Sequence, residues 1–283
     1  MQMRTLAAAV AVLAWSVSSA APMQKPLLAT PTLTADQVIA RNVTARGGVE
    51  SWRKVGTMTW LGHVEGSSGS SGPMPFVLEL GRPNKTRFEI ATVDRRFARI
   101  FDGTRGWRVR PAASGAPEVK PFSGEEVSYA RDEFVIDGPL IDYESKGVVA
   151  RLVGLDEVDG RKAYLLELTL PSGASRRHWI DAETYLDVRS DRPSTSPLAR
   201  GVPVSVYYGD YRSVDGLMIP FTIEIRAADG TRASERLVIE RVALNPKLPD
   251  RAFAKPAVPW QRHAVVNIAP ERPPVAGQAR ANP

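Results

Sequence analysis

The chain has 283 residues, a formal net charge of +6 and no cysteine. The missing thiols exclude disulfides, thiolate metal sites and a lipid attached through a cysteine thioether. Basic residues are scattered in short groups, such as Arg95, Arg96 and Arg99 or Arg176 and Arg177, which predicts a solvated face rather than a nucleic-acid groove. No nucleic acid is expected as a partner, whereas transient contact with an anionic membrane surface suits the charge.

Residues 1–20 read as a secretory signal peptide. Arg4 supplies the charge, Leu6 to Val17 a short apolar core, and Ser18-Ser19-Ala20 a small-residue cleavage site. That apolar run is too short to span a bilayer. The expected mature protein is therefore exported to a bacterial periplasm without a lipid anchor. A flexible leader is expected over 21–33, one domain over 34–254, and a Pro/Ala-rich flexible tail over 255–283.

The domain opens with a helix. Thr34 and Gln37 form a capping box, Leu33 can staple onto Val38, and Gly47-Gly48 stops the helix ahead of Trp52. Period-two alternation then predicts strands at Thr57–Glu65, Phe76–Leu80, Thr86–Thr92, Ala98–Phe101 and Gly106–Arg110. The Gly/Ser stretch at 66–72 reads as a flexible loop and 111–124 as an exposed connection. Ser123 and Glu126 form a second capping box before Val127, Ala130 and Phe134, and Gly138-Pro139 breaks that helix. Strands resume at Val149–Val158, Lys162–Thr169, Ser175–Asp181, Tyr185–Ser190, Val202–Tyr211, Leu217–Ala227 and Thr231–Leu244. Asp159-Gly160, Ser172-Gly173, Asp215-Gly216 and Asp229-Gly230 mark hairpins between them. About a dozen strands cannot stay flat, because twist accumulates and curls the sheet. The predicted class is α+β, mostly β: one strongly curved antiparallel sheet, an incomplete barrel, with helices covering its concave face.

Two turn signatures dominate the first half, Arg82-Pro83-Asn84-Lys85-Thr86-Arg87 and Asp102-Gly103-Thr104-Arg105-Gly106-Trp107. The second half carries Val158-Asp159-Gly160-Arg161-Lys162-Ala163-Tyr164, Trp179-Ile180-Asp181 and Gly216-Leu217-Met218-Ile219-Pro220. In this order, behind a helix ending in Gly47-Gly48, they resemble the superfamily of periplasmic lipoprotein carriers and outer-membrane lipoprotein-sorting proteins. The resemblance spans roughly residues 34 to 253 and implies an open half-barrel closed by a helical lid. It implies a non-catalytic binding or carrier role for the acyl chain of a lipoprotein or lipid. The chain is longer than a minimal carrier, through the 111–124 connection, further C-terminal strands and the tail. The sequence assigns no residue to a lid latch.

Catalytic motifs fare poorly. His63, His178 and His263 lack zinc-enzyme spacing, and Ser51-Trp52-Arg53-Lys54 lacks the companions of the SxxK acyl-transfer motif. Asp156, Glu157 and Asp159 lack the order of a calcium loop. No metal, organic cofactor or catalytic residue is expected. The candidate site is apolar: Trp60, Phe76, Leu78, Phe88, Phe101, Trp107, Tyr164, Leu166 and Trp179 on strands, with Phe134 on the lid. These side chains either line a ligand cavity or fill an ordinary core, and a one-residue register slip would invert every strand assignment. Trp107 is expected on the concave face near Phe88 and Trp60. Two other expectations are an envelope sensor or assembly protein bound to another protein, and an envelope hydrolase using Ser51 or His178.

Overall fold

Both predicted capping boxes form. The Thr34 side chain accepts from the Gln37 amide while the Gln37 side chain accepts from the Thr34 amide, which starts α1 (Ala35–Ala45). Ser123 and Glu126 start α3 (Gly124–Arg131) in the same way. The computed structural model describes residues 32–66, 72–91, 96–112, 116–133, 135–193, 203–227 and 235–257. The signal peptide, nearly all of the leader, Phe134, the Asp229-Gly230 turn, His263 and the tail beyond 257 lie outside the described residues.

Trp52, expected at a simple junction, sits on a short helix α2 (Val49–Arg53). The N-terminal meander is β1 (Thr57–Gly66), β2 (Met74–Gly81), β3 (Lys85–Ala91), β4 (Arg96–Phe101), β5 (Gly106–Arg110) and β6 (Glu118–Pro121). β6 is a strand where an exposed connection was expected. The C-terminal meander is β7 (Val149–Val158), β8 (Arg161–Thr169), β9 (Ser175–Asp181), β10 (Asp187–Pro193), β11 (Pro203–Val214), β12 (Leu217–Ala227) and β13 (Glu235–Leu244). The Asp159-Gly160 and Asp215-Gly216 hairpins take positive φ at both residues (48° and 81°, 49° and 82°), as a two-residue turn of that hand requires.

Among the described residues, 13 strands form one open antiparallel sheet in the order β6-β5-β4-β3-β2-β1-β13-β12-β11-β10-β9-β8-β7. The first and last strands of the chain therefore pair at the centre, with Met58 opposite Leu244 and Val64 opposite Leu237. This order dictates where the lid must run. β6 and β7 are consecutive in the chain but lie at opposite edges, so the segment between them crosses the sheet. It does so over the inner, concave face. Phe122 and Ala130 pack on Phe101 at one end, Ile136 and Ile141 join the central cluster with Met58 and Leu80, and Leu140 and Val148 reach Leu166 and Leu168. Helix α1 covers the same end through Val38 and Ile39. At the other side of the sheet a 3₁₀ turn (Asp250–Phe253) folds back, and the Ala252 carbonyl accepts from Arg87.

Candidate functional site

Register assigns the faces. One row of directly opposed residues runs Val242, Trp60, Leu78, Phe88, Arg99, Arg108, Lys120 across β13, β1, β2, β3, β4, β5 and β6. The neighbouring row places Ile239, Gly62, Phe76 and Ile90 together. Both rows face inward, because Phe76 and Leu80 belong to the cluster that meets Ile136 and Ile141 of the lid. Gly62 permits this packing: a Cβ there would stand 2.0 Å from the Val238 carbonyl oxygen and 3.0 Å from the Phe76 ring. Trp60, Leu78, Phe88 and Ile90 are only half-buried, and Ile223 and Leu237 extend the same surface.

The expected site residues that the structure describes fall into four groups. Trp60, Phe76, Leu78 and Phe88 form one apolar sector, with the Phe76 and Phe88 rings 5.6 Å apart. Phe101 stacks on Phe122 beneath α3, at 6.3 Å and 7°, whereas Tyr164 and Leu166 lie under α1. Trp107 and Trp179 do not face inward. Trp107 is paired with Ile100 and packs with Ala98 and Val109 on the outer face. The inward position beside it belongs to Gly106, where the Phe122 ring fills the space a Cβ would take, 2.0 Å away. Trp179 points outward beside Leu165 and Ala163, donating to Asp156 at 2.9 Å, since His178 and Ile180 take the inward positions.

The lid is latched at the first turn signature. Arg82 donates to the Val55 and Trp52 carbonyls and pairs with Asp137 at 2.7 Å. Lys146 meets the other Asp137 oxygen at 2.6 Å, and Arg46 donates to the Asp137 carbonyl at 3.0 Å. Asn84 donates to the Ala130 and Arg131 carbonyls and accepts from the Val135 amide. Burial pushes the Lys146 ammonium down in spite of Asp137.

The inner face also carries a charged arc that sequence patterning missed. Arg176 and Arg192 approach the same Glu133 oxygen at 3.5 and 3.9 Å, and Arg192 donates to the Tyr129 hydroxyl at 3.3 Å. Burial raises the Glu133 carboxyl, but Arg192, Arg176 and Arg99 outweigh it and hold it below the usual range. Burial, with help from Glu133, pushes Tyr129 up to about 12. Farther along, His178 meets Asp187 at 2.6 Å, Arg46 stands 3.5 Å from it, and Asn42 donates at 3.4 Å. A usable signal existed in Arg176-x-His178-x-Ile180, where two polar residues alternate in phase with an inward isoleucine.

Asp187 has a testable pH signature. Burial raises its carboxyl, yet Arg46 and His178 prevail and depress it. A depressed folded value gives stability that is present above the unfolded value of about 3.9 and lost as pH falls through the folded one. Urea unfolding between pH 7 and pH 3 is expected to show a falling stability below about pH 4. Asp187→Asn should be weaker at pH 7 and respond less to acid.

Among the described residues, the side chains expected of a hydrolase or a zinc site do not come together. Ser51 lies on α2 with no hydrogen bond to His178, and the Ser190 hydroxyl opposite His178 is buried against Tyr208 at 2.9 Å. His63 faces outward, bonded to Glu240 at 2.8 Å, so it cannot join His178 around a metal. Among the described residues no group of His, Asp and Glu is placed to hold a metal.

No family model matches the chain, and no curated protein matches it. Solved structures do. A LolA superfamily protein from Nitrosomonas europaea aligns with TM-score 0.51 at 15% identity, over 79% of this chain and 98% of that one. The chain shares the fold of the LolA superfamily. A DUF1329 family protein from Desulfovibrio piger aligns equally well, with TM-score 0.51 at 14% identity, over 78% and 97%. The shared fold extends over 79% of this chain.

Proposed function

We propose that this is a periplasmic, non-catalytic protein that binds or carries an acyl chain, as a lipoprotein anchor or a lipid, on the inner face of its half-barrel. The carrying observation is the sector around Trp60, Leu78 and Phe88. These large apolar side chains lie in one cross-strand row beneath a lid and remain half-buried. A surface of that kind gains by covering what water still touches, and an alkyl chain gains about 0.8 kcal/mol per buried methylene. The shared fold is compatible with this role but does not select it, since one fold hosts many tasks. The signal sequence supports export, and the cysteine-free chain supports a diffusing rather than lipid-anchored protein.

The test is native mass spectrometry of mature protein taken gently from periplasm, followed by titration with an acylated peptide. Bound acyl species should accompany the wild type. Phe88→Asp should weaken binding tenfold or more, about 1.4 kcal/mol. A wild-type protein that stays empty and ignores acylated peptide would refute the proposal. A protein partner is the second reading, favoured by Val149, which is 66% exposed on the edge strand β7. Val149→Lys abolishing partner capture with lipid binding intact would support it.

A further inference from the structure

We infer that the charged arc is a head-group subsite: the inner face binds a phosphate-bearing amphiphile, and Glu133 occupies the phosphate position when no ligand is bound. The inference rests on the acyl-binding reading and specifies its ligand class.

The row that runs Trp60, Leu78, Phe88 continues directly into Arg99 and Arg108. Strands lie about 4.8 Å apart. The apolar part, from Val242 on β13 to Arg99 on β4, therefore spans roughly 19 Å before the first guanidinium. An extended amphiphile laid along this row puts its chain on the aromatics and its head on the arginines.

The arginines themselves call for an anion. Arg99 and Arg108 are directly opposed on adjacent strands, an arrangement of like charges that destabilises a sheet unless something neutralises it. Arg108 meets Glu126 at 3.2 Å, but its Nε is buried with no hydrogen-bond partner. Across the half-barrel, Arg176 and Arg192 converge on Glu133 from β9 and β10, and Arg99 acts on the same carboxylate from β4. Glu133 thus faces guanidinium groups from both arms of the sheet, with Glu126 also acting on Arg99. Its contacts of 3.5 and 3.9 Å to Arg176 and Arg192 are long compared with the roughly 2.7–2.9 Å of a tight charge-assisted bond. A phosphate carries more charge and three acceptor oxygens, which suits several guanidinium forks better than one carboxylate does. Glu133 belongs to the lid, and its side chain is 28% exposed, so it can leave without unfolding the sheet. A ligand that replaces it gains the difference between the two sets of contacts.

The experiment titrates mature protein by calorimetry with dodecyl phosphate and monododecanoyl glycerol, both below their micelle concentrations, and with inorganic phosphate. Dodecyl phosphate is expected to bind at least tenfold tighter than the neutral glycerol ester. Arg99→Gln should reduce that gap to under threefold while sparing the ester. Glu133→Gln should tighten dodecyl phosphate threefold or more and leave the ester unchanged. Equal binding of the two amphiphiles by the wild type would overturn the subsite while leaving the acyl-binding proposal standing. Binding of neither would defeat both. Inorganic phosphate matching dodecyl phosphate would mean a free-anion site and overturn the amphiphile assignment. If Arg99→Gln does not fold, the Glu133→Gln comparison decides alone, and an unchanged affinity there overturns the placeholder role.

Discussion

Truncating Trp107 to alanine is expected to cost the fold about 3–5 kcal/mol, the usual penalty for emptying a buried Trp site, and to leave acyl affinity within twofold of wild type. The indole is 7% exposed on the outer face, packed with Ala98, Ile100 and Val109, with Val119 of β6 against them. Few neighbours there can collapse into the void, because β5 and β6 are short and β6 is the sheet edge. Ligand on the inner face would not sense the loss. Trp60→Ala should behave the opposite way, with a smaller stability cost and a clear drop in affinity, since that indole is half-buried on the inner row. Urea unfolding and acylated-peptide competition on the two variants give a crossed pattern. A Trp107→Ala protein with near-normal stability but poor binding would contradict the face assignment.

Asp137→Ala is expected to release the lid at a cost of about 3–5 kcal/mol, the range for removing one partner of a buried pair. Asp137 is 3% exposed, and its carboxylate holds Arg82 and Lys146 at once. Its removal leaves Lys146, already depressed by burial, among the Arg82 and Arg46 charges. The damage should be local, because the sheet keeps its own ladders. Amide exchange across 135–148 is expected to accelerate about a hundredfold or more while β1, β2 and β13 keep their protection. Uniform acceleration over the whole sheet would mean that Asp137 supports the global fold rather than the latch.

Much of the architecture was legible because local chemistry repeated the global answer. Thr34 with Gln37 and Ser123 with Glu126 cap helices, and Asp159-Gly160 and Asp215-Gly216 turn hairpins, where those residue types are best suited. β6 escaped notice because Glu118–Pro121 is short, polar and ends in proline, as edge strands often are. Face assignment was harder. Alternation says that two faces differ without saying which is inward, and irregular register at Leu61/Gly62, Leu152/Gly154 and Asp187/Arg189 resets the parity along the sheet. Trp107 and Trp179 went to the wrong side for the first reason alone, since β1 to β5 and β8 to β9 pair without irregularity and only that pairing sets Trp107 opposite Ile100 and Trp179 opposite Leu165. Arg99 and Arg176 read as solvated charge because nothing local reveals that Glu133 arrives from the lid to meet the arc they form with Arg192.

The pairing of β1 with β13 has a kinetic consequence. Each meander consists of hairpins that can zip locally, yet neither buries its central strand until the other is made, because the seam joins the two ends of the domain. Closing so long a loop is entropically expensive before any contact rewards it, so folding should be slow for a chain of this size. Until then β1 and β13 present long unpaired edges rich in apolar residues, inviting association between copies. Loss of β13 alone would make that transient exposure permanent and should send the protein into aggregates rather than a smaller soluble domain.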